Sequence, residues 1–109
     1  IERFPASMVA RLSLNPDALS MIVARGDSML PTIADGDDIL VDTAERRIGR
    51  RPTIFVLRID GAVVVKRLAL ADGQVAIASD NPAADPIAPV ALDRVEVIGR
   101  VVWLGRKLV

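Results

Sequence analysis

Ser28 and Lys66 are the two residues of this chain whose types and settings could carry out covalent chemistry. Ser28 lies within Gly26-Asp27-Ser28-Met29-Leu30-Pro31-Thr32-Ile33, directly after the apolar run Met21-Ile22-Val23-Ala24 and ahead of Asp35-Gly36-Asp37. Gly26 allows backbone angles closed to other residues and Pro31 fixes a tight bend, so the hydroxyl is expected at a strand end, aimed in one direction. A serine in a turn commonly bonds only to nearby backbone, so position alone does not make it a nucleophile. It needs a base. The chain has no histidine and no cysteine, which excludes the Ser-His and Cys-His pairs. Lys66 remains, in Ala62-Val63-Val64-Val65-Lys66-Arg67-Leu68 behind the hairpin signal Asp60-Gly61. A strand with side-chain period two puts Val64, Lys66 and Leu68 on one face and Val63, Val65 and Arg67 on the other. Both faces are largely apolar, so Lys66 is expected among aliphatic neighbours. Burial disfavours the ammonium form, and a neutral lysine amine can take the proton of a serine hydroxyl.

The elements that must position this pair follow from the turn signals. Residues 4–12 predict one short helix, with Pro5 near its first turn and Met8, Val9 and Leu12 on one side. Asn15-Pro16 stops it, because the residue before proline avoids helical angles. Residues 20–25 form a strand feeding the serine motif, 35–38 a turn and 39–41 the next strand. Pro52 opens a strand over 53–59, and Asp60-Gly61 returns it into the Lys66 strand. Asp72-Gly73 makes a second turn into a strand over 74–78. Residues 79–89 hold three prolines and read as loop, and 94–104 close the chain as a long strand with Gly99 at a bulge or bend. Short strands at regular spacing with little helix predict a mainly β fold, a small twisted barrel-like or sandwich domain with one short N-terminal helix.

Composition narrows the function classes. At 109 residues the chain forms one domain, and no apolar run approaches the roughly 18 residues of a membrane span. Ile1-Glu2-Arg3-Phe4-Pro5 has no signal-peptide pattern, which is compatible with the cytoplasm. Fourteen basic residues balance fourteen acidic ones and aromatics are 3%, a poor basis for nucleic-acid binding by this domain. Arg46, Arg47, Arg50 and Arg51 read as a solvated loop in preference to a phosphate patch. Asp35, Asp37, Asp38 and Asp42 do not follow a calcium-loop spacing and read as turn and capping residues, so neither a metal nor another cofactor is expected.

Gly26-Asp27-Ser28-Met29-x-Pro31-Thr32, Asp35-Gly36-Asp37, Val65-Lys66-Arg67-Leu68, Ser79-Asp80-Asn81-Pro82 and Ile98-Gly99-Arg100-Val101 together resemble the LexA-type self-cleaving repressors. The match is to the C-terminal serine-lysine peptidase domain of phage-repressor-like regulators. It runs from about residue 14 to residue 104, with the motifs in order. The resemblance departs at Phe55 and Ala84, where the family often has tyrosine. It implies a twisted β domain with Ser28 as nucleophile and Lys66 as base, which dimerises and cuts the linker to a DNA-binding domain. The family cuts at Ala-Gly or Cys-Gly upstream of the serine. This chain has neither dipeptide and no helix-turn-helix, so residues 1–109 are expected to be a C-terminal peptidase and dimerisation domain lacking linker and DNA-binding domain. The implied partners are a second copy, the chain's own linker, DNA through the other domain only, and a DNA-damage-induced recombinase filament. The backbone N–H groups of Asp27 and Ser28 are the oxyanion candidates, and Met29 and Asn81 the groove candidates. Val101-Val102-Trp103-Leu104 is the candidate dimer patch. Two other readings stay open: a non-catalytic dimerisation domain, and a soluble fragment of a signal-peptidase-like serine protease.

Overall fold

A computed structural model describes residues 6–12 and 15–108. Its frame is a single antiparallel sheet of six strands. These are β1 (Leu19–Val23), β2 (Asp38–Asp42), β3 (Thr53–Ile59), β4 (Ala62–Ala71), β5 (Gln74–Ala78) and β6 (Glu96–Gly105). They lie side by side in the order β1-β2-β6-β3-β4-β5, so the last strand is inserted between the second and third. The mainly β class expected from the turn spacing is what the chain adopts.

The two Asp-Gly pairs make the hairpins. Asp60 and Gly61 have φ of 49° and 80°, and Asp72 and Gly73 have 52° and 76°. Successive positive φ values give the turn whose twist matches that of the flanking strands. The first turn sets Phe55 opposite Lys66, and the second sets Arg67 opposite Ala78.

Strand periodicity then distributes the apolar residues to both faces of the sheet. Ile39, Val41 and Val56 join Ala24, Met29 and Ile33 in one cluster, so the segment between β1 and β2 covers that face. Alternate residues Phe55, Leu57, Leu68, Val75 and Ile77 form a second cluster with Ile48. Val9 of the helix α1 (Ala6–Arg11) covers a third, smaller one with Leu19 and Leu40.

Several boundaries differ from expectation. The predicted helix over 4–12 is observed as Ala6–Arg11, and residues 4 and 5 lie outside the described residues. Val9 is buried, whereas Leu12 is exposed. β1 ends at Val23 because the Ala24 carbonyl accepts from the Gly36 N–H at 2.9 Å while the Asp37 N–H turns to the Ala34 carbonyl at 3.0 Å. β6 begins at Glu96, after a 3-10 turn over Leu92–Arg94 that periodicity did not reveal. The register of β6 against β3 slips between the partners Gly99 and Val97, beside the expected glycine. Gly99 itself is required by packing: a Cβ there would lie 2.6 Å from the Asp42 carbonyl oxygen and from Val41 Cγ1.

Candidate active site

The segment carrying Ser28 is closed at its base by two aspartates. Gly26, at φ +85°, donates its N–H to Asp35 Oδ1 at 2.7 Å. The Asp37 carboxylate, 1% exposed, accepts from the Ala34 N–H at 2.8 Å and from both Nε and Nη2 of Arg106 at 2.9 and 2.8 Å. The Arg106 guanidinium holds the Asp37 carboxyl below its ordinary pKa, against the opposing effect of burial. Met29 and Ile33, 4% and 2% exposed, anchor the segment in the core on either side of the cis Leu30-Pro31 peptide. Ser28 is thus fixed on a turn between a clamped base and a buried methionine, with its side chain half-buried.

Lys66 meets it. Its Nζ lies 2.9 Å from Ser28 Oγ and 2.9 Å from Ser79 Oγ. The lysine is 9% exposed, and burial pushes its pKa below the ordinary lysine value. The sheet register explains how a lysine in this setting reaches a serine: β5 pairs with β4 only over residues 67–71, so at Lys66 the outer edge of β4 becomes free. Ser79, the first residue after β5, stands beside it.

The loop after β5 ties both halves together. Arg67 donates through Nε and Nη2 to the Asp80 carboxylate at 2.8 and 2.7 Å, and Thr32 Oγ1 donates to Asp80 Oδ2 at 2.6 Å. The Arg67 guanidinium holds the Asp80 carboxyl below its ordinary range. The Asn81 N–H donates to the Ser28 carbonyl and its Nδ2 to the Asp27 carbonyl, each at 3.0 Å. Ser79, Arg67 and Asp80 were not singled out as site residues from residue type, because their part depends on which strands are neighbours. The Val65-Lys66-Arg67-Leu68 and Ser79-Asp80-Asn81-Pro82 motifs are the signals available for them.

A groove of about 190 Å³ runs to the pair, with residues 22–26 on one side, 63–66 on the other, and Met29, Ile33 and Val56 among its lining. Its rims carry the exposed apolar side chains of Val23 and Val63. Met29 lines this groove from the buried side. Asn81 bonds instead to the backbone of the serine turn. Asp27 is exposed on that turn, and Phe55 is core. Val101 and Leu104 pack partly against one apolar cluster and Val102 and Trp103 against another, so the four expected at a dimer surface are all half-buried. Arg46, Arg47, Arg50 and Arg51 are exposed. Asp42 Oδ1 accepts from the Ala44 N–H, a local turn role. Among the described residues no helix is long and apolar enough to cross a membrane.

Residues 2–102 match the model of the family described as Peptidase S24-like. The chain is similar to a protein of Haemophilus influenzae named an uncharacterized HTH-type transcriptional regulator, at 28% identity over 99% of this chain and 46% of that protein. It is 35% identical to the LexA repressor of Mycobacterium leprae over 83% of this chain and 37% of the repressor. With the LexA repressor of Mycolicibacterium smegmatis the identity is 35% over 84% of this chain and 36% of the repressor. The chain therefore spans less than half the length of these relatives.

Proposed function

Because the chain belongs to the Peptidase S24-like family, we propose that it is the C-terminal regulatory domain of a LexA-like transcriptional repressor, and that it cleaves its own linker through Ser28 and Lys66. The observation that carries this reading is the 2.9 Å contact between Ser28 Oγ and the amine of a buried lysine. Lys66 in its neutral form accepts the hydroxyl proton as Oγ bonds to the scissile carbonyl carbon. The resulting oxyanion is held by backbone N–H groups of Asp27 and Ser28. Collapse breaks the C–N bond, Lys66 returns the proton to the leaving amine, and water then hydrolyses the ester. A linker entering as an extended strand meets two backbone edges with no strand partner among the described residues, the outer edge of β1 and that of β4 over residues 62–66.

Residues 1–109 would act within a longer cytoplasmic regulator that meets DNA through another domain. Dimerisation is assigned to the apolar Val101-Val102-Trp103-Leu104 stretch of β6, whose residues are half-buried. A recombinase filament formed on DNA damage would act by favouring the conformation with the linker in the groove.

The test is incubation of the longer protein between pH 7 and pH 10. Fragmentation should accelerate as Lys66 loses its proton, and Ser28→Ala should slow it by roughly 10³-fold or more. A Ser28→Ala protein that fragments at the unaltered rate would leave a non-catalytic dimerisation domain as the better reading.

A further inference from the structure

We infer that Asn81 is a positioning residue that aims the oxyanion-binding amides of the serine turn, an inference that rests on Ser28 being the nucleophile. Asn81 bonds two successive peptide groups, the Asp27 carbonyl through Nδ2 and the Ser28 carbonyl through its N–H, both at 3.0 Å; the Asp27 carbonyl also accepts from the Leu30 N–H at 3.2 Å. A trans peptide is planar, with N–H and C=O on opposite sides, so fixing each carbonyl fixes the direction of the following N–H. The Ser28 and Met29 N–H groups are thereby turned away from the loop after β5. Among the described residues neither donates to a protein acceptor, so both remain available. The geometry therefore points to the Ser28 and Met29 amides as the donors that Asn81 aims, beside the Asp27 amide, whose peptide plane it does not touch.

Asn81 is itself held for this task. Its Oδ1 accepts from the Ala83 N–H at 2.9 Å, which fixes the side-chain amide with its NH2 toward Asp27. The preceding residue is locked by Arg67 and Thr32 through the Asp80 carboxylate. Ser79 contacts Lys66, so the base and the oxyanion site are served by different residues of one short loop. That separation makes the two roles distinguishable by experiment.

The probe is diisopropyl fluorophosphate, with labelling of Ser28 followed by mass spectrometry from pH 7 to pH 10. Ser28 Oγ bonds to phosphorus, the P–F bond breaks, fluoride leaves and Lys66 takes the hydroxyl proton; the developing P–O charge needs the amides. The unaltered chain should label at Ser28 alone, faster as pH rises, and Ser28→Ala should not label. Asn81→Ala should lower the high-pH plateau about 10²-fold, the usual cost of a misdirected donor, and leave the pH midpoint unchanged. Asn81→Asp keeps the shape, the backbone N–H and the Ala83 contact but sets a carboxylate against the Asp27 carbonyl, and should lose at least as much. Circular dichroism and thermal melting establish that each variant is folded, and Asn81→Asp stands in if Asn81→Ala does not fold. A folded Asn81 variant that labels at the unaltered rate overturns the inference. So does one that shifts the midpoint while keeping the plateau, since Asn81 would then act on the base. No labelling of the unaltered chain overturns the serine–lysine reading and this inference with it.

Discussion

Lys66 carries a cost that the rest of the domain must offset. Its pKa is lowered by burial, so between that lowered value and the ordinary lysine value of about 10.4 the unfolded chain holds the proton more tightly than the folded one. Stability therefore rises with pH through that window, and the full cost of burying the ammonium is present below the lowered value. Lys66→Met, of similar length and without charge, should abolish Ser28 labelling and raise the melting temperature at pH 7, by about 1 kcal/mol or roughly 4–8 °C. Calorimetry checks this, and a lower melting temperature would show the lysine to be stabilising. Ser79 bears on the same atom from the other side. With Ser28 it supplies two acceptors 2.9 Å from Nζ, which leaves the amine little freedom to swing out of line. Ser79→Ala should leave folding intact and slow cleavage roughly tenfold through lost alignment. Single-turnover rates measured beside those of Asn81→Ala would separate the two.

At the scale of elements, β6 decides how the site is built. It lies between β2 and β3, and its bulges against each partner let one long strand follow both. Gly99 is a tight point of this insertion, with the Asp42 carbonyl and the Val41 side chain where a Cβ would stand. Gly99→Ala should push β2 and β6 apart and cost about 1–3 kcal/mol, read as a lower denaturant midpoint. The hairpins were legible in the sequence because each rests on an adjacent Asp-Gly pair: the strands over 53–59 and 74–78 were placed to the residue. Ser28 and Lys66 were legible for a related reason, since a serine between a glycine and a proline and a lysine within a valine run are local features. The insertion of β6 was not legible, because any strand with two apolar faces satisfies the same periodicity between other neighbours. Everything that depends on strand neighbours was hidden with it. Arg67 meets Asp80 only because β4 and β5 pair, and Arg106 reaches Asp37 only because β6 lies beside β2. Asn81 was visible as a residue, but its hold on two carbonyls depends on the serine turn and the loop after β5 meeting in space.

Over the whole molecule, two arginine–aspartate pairs join the serine segment to the sheet. Arg106, just past β6, holds Asp37 at the base of that segment. Arg67 on β4 holds Asp80, which also receives Thr32 from within the segment. In each pair the guanidinium depresses the carboxyl pKa, so the folded-state value lies below the unfolded one of about 3.9. A depressed carboxyl contributes stability that is present above the unfolded value and is lost as pH falls through the folded value. The domain should therefore be insensitive to pH from about 6 down to about 5 and weaken steeply below about 4, as both ties release. Asp37→Asn keeps an acceptor for the Ala34 N–H but removes the charge facing Arg106. The variant should melt lower than the unaltered protein at pH 7, with the gap narrowing as the pH is taken toward 2. Because the Asp37 tie closes the base of the serine segment, its loss should also slow Ser28 labelling at pH 7, where the fold is intact. Melting curves from pH 7 to pH 2 on both proteins check the first part. Parallel melting curves, with a constant gap at every pH, would show that the Asp37 charge has no share in the acid transition.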